Sequence, residues 1–247
     1  EFGSTQLLSL QRLSVFAAAL PVGYLLINLV PWYLVIITRS FTISDSTYQE
    51  VDTFKTVALQ VVTTTAGAAL IALVLTALIN WLTRKSASCS TSFIVAAALN
   101  GLIWFGDGIS GNHLTFNSPL TMNALVAGRF YGVSNTAFAF GAVGAMIALL
   151  AWADWLKSRY SLRASLLVVS GVGLLLVIVD AAPFLGADFG GALALIPTLG
   201  VALVKLSGRS LRPRILALLG LISAGLLSAV AILEWLLRGE NSTHLGR

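Results

Sequence analysis

Long apolar segments follow one another along almost the whole chain and are separated by short polar stretches. A helix needs about 20 residues to cross the hydrocarbon core of a bilayer. Seven segments approach or exceed that length: Leu13–Thr38, Thr56–Leu82, Ser92–Phe105, Ser134–Leu156, Ala164–Ala182, Gly190–Leu206 and Ile215–Leu237. This pattern predicts an all-α, polytopic integral membrane protein with about seven transmembrane helices.

Two of the predicted helical hairpins are interrupted by charged and helix-breaking residues. The first is expected to break at Asp107 and the second at Asp180, and each then passes a proline (Pro119 and Pro183). Each re-enters the membrane through a Gly-x-x-x-Gly sequence, at residues 128–132 and 186–190. Such glycine pairs either let two helices pack closely or expose a groove, and the sequence alone allows both. We therefore predict two broken helical hairpins.

The composition supports a membrane protein. Of the 247 residues, 57% are hydrophobic and 10% are charged, whereas a soluble domain has about 25% charged residues. The apolar segments leave no room for a separate soluble domain. Residues 1–4 (Glu-Phe-Gly-Ser) are typical of a cloning remnant, so we assign residues 5–247 to a single transmembrane domain that could be a fragment of a longer protein.

The distribution of basic residues predicts the orientation. The chain has 15 Lys and Arg against 10 Asp and Glu, an excess that we attribute to loop charges rather than to nucleic-acid binding. Ten of the basic residues fall on one side of the predicted spans: Arg12, Arg84, Lys85, Lys157, Arg159, Arg163, Lys205, Arg209, Arg212 and Arg214. Basic residues concentrate in cytoplasmic loops. The N-terminus is therefore expected to be cytoplasmic and the C-terminus external.

This orientation brings the unusual polar residues to the external face. Arg129 is permanently charged, so in partly dry surroundings it needs a carboxylate or an anionic ligand. Asp180 and Asp188 are its natural partners. The ion pair could simply lock the two hairpins together, or it could line an outward-facing pocket that binds an anion. In the second case, further hydrogen bonds would come from Tyr131, Asn135 and Asn117.

The chain offers few residues for other chemistry. A single cysteine, Cys89, and two histidines make a metal centre improbable, and no P-loop, His-Glu-x-x-His or Gly-x-Ser-x-Gly motif occurs. We expect neither a metal nor a cofactor. His113 lies in a polar loop, where it is either solvated or folded over Asp107 as a general acid or base.

Two motifs carry a resemblance to known proteins. Gly128-Arg129-Phe130-Tyr131-Gly132-x-x-Asn135 and the sequence Ala-Pro-Phe-Leu-Gly-Ala-Asp-Phe-Gly-Gly at 182–191 resemble the multi-span part of poorly characterised bacterial envelope proteins. Some of those proteins carry an alkaline-phosphatase-like extracytoplasmic domain. The resemblance covers most of residues 90–247 and implies a multi-pass protein of the bacterial plasma membrane that handles lipid-linked or envelope precursors. It supplies no catalytic residue.

The sequence leaves three functional hypotheses. The favoured one is a transporter or flippase-like module that handles an anionic solute or lipid-linked precursor through Arg129, with an aspartate as proton carrier. The second is a membrane-embedded transferase or hydrolase that acts on a lipid-linked substrate, with Asp107, Asp180 or His113 as acid or base. The third is a membrane scaffold for an extracytoplasmic domain or partner protein. Membrane lipids are expected partners in each case.

Overall fold

The computed structural model describes residues 4–30, 53–86, 88, 90–115, 118, 133–182, 185–186 and 188–238. These residues form α1 (Ser4–Leu26), a short 3₁₀ helix (Ile27–Leu29), α2 (Thr53–Thr83), α3 (Thr91–Ser110), α4 (Asn135–Arg159), α5 (Leu162–Ala181), α6 (Phe189–Leu206) and α7 (Pro213–Arg238). No strand occurs within these ranges. The prediction of an all-α protein is confirmed for the described part of the chain.

Five of the helices contain segments long and apolar enough to cross a membrane: Leu8–Leu29, Ala58–Thr83, Thr91–Ser110, Asn135–Arg159 and Leu162–Ala181. Two shorter apolar segments, Gly190–Leu206 and Pro213–Leu226, lie in α6 and α7. Large apolar side chains also cover the outward faces of the helices, as with Leu102, Leu167 and Leu221. A surface of this kind suits contact with lipid rather than with water.

The third helix corrects the sequence prediction. We expected it to end near Phe105 and the hairpin to break at Asp107, but α3 continues to Ser110. A glycine inside a helix costs only about 1 kcal/mol relative to alanine, so Gly106 and Gly108 do not end it. The helix ends at Gly111, whose φ of 100° is left-handed. Glycine adopts that conformation without a steric penalty, which makes it the usual residue after a helix end.

The chain divides into two compact units, residues 1–148 and 149–247, with the boundary inside α4. In the first unit, α1 packs against α2 and α3. Small residues bring the helices close together. A side chain at Gly101 would lie 2.6 Å from the backbone nitrogen of Ala145, and one at Gly144 would lie 2.6 Å from the carbonyl oxygen of Ala97. Close approach of backbones at small residues is a common way to pack helices in a membrane.

The second unit contains the end of α4 together with α5, α6 and α7. The side chain of Ser161 caps α5 by accepting a hydrogen bond from the backbone N–H of Ala164 at 3.1 Å. The hydroxyl of Ser165 donates to the carbonyl oxygen of Ala153 at 2.8 Å and so ties α5 to α4. Gly173 lies against Leu199, and Gly200 lies against Leu219, which joins α5 to α6 and α6 to α7.

Candidate functional site

Asp107 lies in the last turn of α3 and organises the loop that follows. Its carbonyl oxygen accepts a hydrogen bond from the backbone N–H of Asn112 at 2.7 Å. Its buried carboxylate accepts hydrogen bonds from the backbone N–H groups of Leu114 and Thr115, each at 2.8 Å, and from the hydroxyl of Thr115. Hydrogen bonds to an ionised acceptor are stronger than hydrogen bonds between two neutral groups. The carboxylate therefore holds the loop against the end of the helix.

The same loop is tied to the end of α1. The side-chain amide of Asn28 donates to the carbonyl oxygen of Leu114 at 2.6 Å. The backbone of Leu114 thus accepts one hydrogen bond from Asn28 through its carbonyl oxygen and donates one to Asp107 through its N–H. These contacts give Asp107 a structural role in joining α1, α3 and the loop.

Replacing Asp107 by alanine is expected to destabilise the protein. Loss of hydrogen bonds to a charged group costs about 1.5–3 kcal/mol, and two backbone N–H groups would lose their acceptor. Thermal unfolding in detergent should therefore shift to lower temperature. His113→Ala, at an exposed position of the same loop, is the control and should leave the unfolding temperature unchanged. Equal stability of the two variants would contradict the structural role of Asp107.

His113 does not join Asp107 in the described structure. Its ring lies beside Gly111, where an added Cβ would be 3.5 Å from Nε2. None of the hydrogen bonds described for Asp107 comes from His113. The geometry therefore fits a solvated loop histidine better than an acid–base pair with Asp107.

The turn between α5 and α6 brings the other two predicted aspartates together. Asp180 lies in the last turn of α5, and Asp188 immediately precedes α6. The backbone N–H of Asp188 donates to the carbonyl oxygen of Asp180 at 2.8 Å. The two residues are only 1% and 3% exposed. Two acidic residues are thus enclosed in a single turn between two apolar helices.

Gly186 makes this turn possible. Its N–H donates to the carbonyl oxygen of Val179 at 2.9 Å. A Cβ at this position would lie 2.5 Å from the carbonyl oxygen of Asp180 and 2.8 Å from its Cα. Real Cβ contacts do not come this close, so the backbone of the turn packs directly against the end of α5 and leaves no room for a side chain. Gly190 is different, because a Cβ there would make an ordinary 3.5 Å contact with Oδ1 of Asp188.

Of the remaining predicted site residues, one lies within the described part of the chain and three lie outside it. Asn135 is exposed at the start of α4 in the first unit. Arg129, Tyr131 and Asn117 lie outside the described residues, as does the Gly-x-x-x-Gly sequence at 128–132. The pairing of Arg129 with Asp180 or Asp188 therefore stays a prediction.

A buried amide in the middle of the apolar helices was not among the predicted site residues. Asn100 of α3 is 6% exposed, and its amide nitrogen donates to the carbonyl oxygen of Phe140 at 3.2 Å. Its amide oxygen has no hydrogen-bond partner among the described residues. The residue lines a groove of about 450 Å³ between α1, α3 and α4, whose other walls are mainly alanine, phenylalanine and aliphatic side chains. The signal in the sequence was an isolated amide inside a long apolar run.

The described residues contain no cluster of three or more His, Cys, Asp or Glu side chains that could hold a metal ion. Five of the described helices are long and apolar enough to cross a membrane, and three aspartates, Asp107, Asp180 and Asp188, lie buried at or next to helix ends. Comparison of the chain with protein-family models, with curated proteins and with solved structures gave no match.

Proposed function

We propose that the protein is a transporter or flippase-like module that moves an anionic solute or a lipid-linked envelope precursor across a bacterial plasma membrane. In this proposal α6 and α7 also span the bilayer, which gives seven spans, a cytoplasmic N-terminus and an external C-terminus. The asymmetry of the loop charges supports this orientation.

The observation that carries the proposal is the burial of Asp180 and Asp188 in one turn. Ionisable side chains at membrane depth are costly and usually line a pathway for a substrate, an ion or a proton. A negative charge there is tolerated when it is paired with a cation or neutralised by a proton. In the proposed transport cycle, one of the two aspartates changes between these two conditions, as a proton-coupled carrier requires.

Arg129 supplies the contact for the anionic substrate in this proposal. A guanidinium group presents a planar set of donors that matches phosphate and carboxylate groups. When the substrate is absent, an aspartate of the α5–α6 turn would balance the charge of Arg129. Binding of an anion would release that aspartate to take up a proton. Substrate binding and protonation would thereby be coupled.

The groove beside Asn100 favours a lipid-linked substrate over a water-soluble one. Ligand sites are mainly apolar with a few polar groups, and they typically measure about 300–1,000 Å³. The groove has a volume of about 450 Å³ and one buried amide. It suits a hydrocarbon chain with a polar substituent. The enzyme hypothesis loses one of its three candidate acids or bases, because the carboxylate of Asp107 is engaged by its own loop.

Arg129→Ala tests this proposal in two measurements. Purified protein is placed in phosphatidylcholine vesicles, and movement of fluorescent phosphatidylglycerol between leaflets is compared with uptake of radiolabelled glycerol phosphate. The wild-type protein should accelerate at least one process over protein-free vesicles. Losing a charge-assisted contact costs about 1.5–3 kcal/mol, so the alanine variant should be about tenfold slower or worse. Arg129→Lys should be intermediate.

The second measurement is thermal stability, which separates a ligand contact from a structural ion pair. If Arg129 only locks the fold, removing it leaves a buried charge without its partner, at a cost of about 3–5 kcal/mol. The variant would then unfold at a much lower temperature. An Arg129→Ala protein that is as stable and as active as the wild type would contradict both roles.

A further inference from the structure

A polar cavity lies at one end of three helices in the first unit. It has a volume of about 270 Å³ and is lined by side chains from the N-terminal part of α1, the end of α2, the connection after it and the start of α3. The lining residues that matter here are Arg12, Arg84, Asn80, Ser88, Ser92 and Leu8. From the sequence alone, the two arginines were interpreted only as loop charges that set the orientation.

The cavity concentrates positive charge. Arg12 and Arg84 both line it, and its lining contains no acidic residue. Both side chains are exposed, and no ion pair with a carboxylate is found for either within the described part of the chain. Two like charges around one small cavity repel each other, and an anion between them removes that repulsion. Guanidinium groups bind phosphate oxygens through two parallel hydrogen bonds.

Hydrogen bonds between hydroxyl groups fix the walls of the cavity. The hydroxyls of Thr83 and Ser92 lie 2.6 Å apart and join the end of α2 to the start of α3. The hydroxyls of Ser86 and Thr91 lie 2.7 Å apart and form a second hydrogen bond between the segment after α2 and the start of α3. A site whose walls are already held in place loses less free energy to ordering when a ligand binds.

The side chains beside the cavity are of the kind that is common at the level of lipid head groups. The guanidinium group of Arg84 lies over the ring of Trp81, 5.3 Å from its centroid. Trp81 is 56% exposed and Leu8, on the rim, is 53% exposed. Tryptophan is enriched where the bilayer meets water. A phosphate in the cavity would therefore lie beside apolar surface that can contact acyl chains.

We propose that this cavity binds the phosphate group of an anionic lipid. Basic pockets between transmembrane helices on the cytoplasmic side are typical sites for such head groups. The cavity is slightly smaller than the range of about 300–1,000 Å³ for drug-sized ligands, which suits a phosphate group whose acyl chains remain outside. A soluble phosphate compound would present the same group to the two arginines, so the experiment has to distinguish it from a lipid head group. The inference does not depend on the proposed transport activity.

The test measures which lipids remain bound to the purified protein. Protein in detergent is incubated with equal amounts of phosphatidylglycerol and phosphatidylcholine, and retained lipid is quantified by native mass spectrometry. The wild-type protein should retain phosphatidylglycerol preferentially. A basic residue near a lipid surface contributes about 1 kcal/mol, so Arg12→Gln or Arg84→Gln should lower retention about fivefold. The double variant should lose nearly all of the preference.

Three controls define the outcome. Arg163→Gln removes one exposed positive charge from α5 and should leave retention unchanged. Arg84→Lys keeps the charge and thus the membrane orientation, but it loses the paired hydrogen bonds and should give an intermediate value. Inorganic phosphate is then added at increasing concentration. If inorganic phosphate displaces the lipid at low concentration, the cavity is a phosphate site whose natural ligand is soluble. If the lipid is retained, the natural ligand is a lipid.

Two results would overturn the proposal. One is a wild-type protein that retains both lipids equally. The other is an Arg163→Gln variant that loses as much phosphatidylglycerol as Arg12→Gln, since binding would then reflect overall charge rather than this cavity.

Discussion

Replacing Gly186 by alanine is expected to disrupt the α5–α6 turn and destabilise the whole second unit. The new Cβ would lie 2.5 Å from the carbonyl oxygen of Asp180 and 2.8 Å from that of Val179, so only a shift of the backbone could accommodate it. Forcing extra atoms into packed structure typically costs about 1–3 kcal/mol. The unfolding temperature in detergent, followed by tryptophan fluorescence, should fall clearly. Gly186→Leu should prevent recovery of folded protein.

Gly171 provides a matched control for this prediction. It lies in α5, and a Cβ there would meet nothing within 4 Å. Alanine is also the better helix former by about 1 kcal/mol. Gly171→Ala should therefore be as stable as the wild type or slightly more stable. If Gly186→Ala were equally well tolerated, the close approach between the turn and the end of α5 would be incorrect.

The long apolar runs predicted most helices closely, because burial in lipid requires an uninterrupted apolar stretch. The segment Thr56–Leu82 corresponds to α2 at Thr53–Thr83, and Gly190–Leu206 corresponds to α6 at Phe189–Leu206. The first segment was predicted at Leu13–Thr38, whereas α1 already begins at Ser4 and ends at Leu26; residues 31–38 of that prediction lie outside the described residues. Hydropathy detects residues that fit lipid, whereas a helix can continue through polar residues where water satisfies their side chains.

The candidate site was partly predictable. The sequence places Asp180 and Asp188 on either side of a short turn, so their proximity followed from chain connectivity. The direct packing of Gly186 against Asp180 did not, because it depends on the path of the backbone. The structural role of Asp107 was also missed, since it depends on a loop that folds back onto the helix end.

The arginine-lined cavity shows a second limit of sequence reasoning. Arg12 and Arg84 are far apart in the chain, and each alone is explained by the orientation of the spans. Their common function becomes visible only when α1 and α2 are packed side by side. A pattern along one helix carries no information about which residues of another helix meet it.

Asn substitutions at Asp180 and Asp188 are expected to have the largest effect on activity. Asparagine has nearly the same shape as a neutral aspartic acid, but it cannot release or bind a proton. Each variant should therefore resemble the protonated protein. Net movement of the anionic substrate driven by a pH gradient should fall to the rate of protein-free vesicles, while substrate binding persists. The control is Asp154→Asn, at an exposed position of α4, which should retain full activity.

The most direct test of the carboxylate site compares driven transport with exchange in the same vesicles. Fluorescent phosphatidylglycerol and radiolabelled glycerol phosphate serve as probes, with and without a pH gradient. We expect Asp180→Asn and Asp188→Asn to abolish accumulation of the probe under the gradient but to allow its exchange without the gradient. Variants that accumulate the probe as fast as the wild type would show that the two aspartates are structural and that the proposed coupling site is wrong.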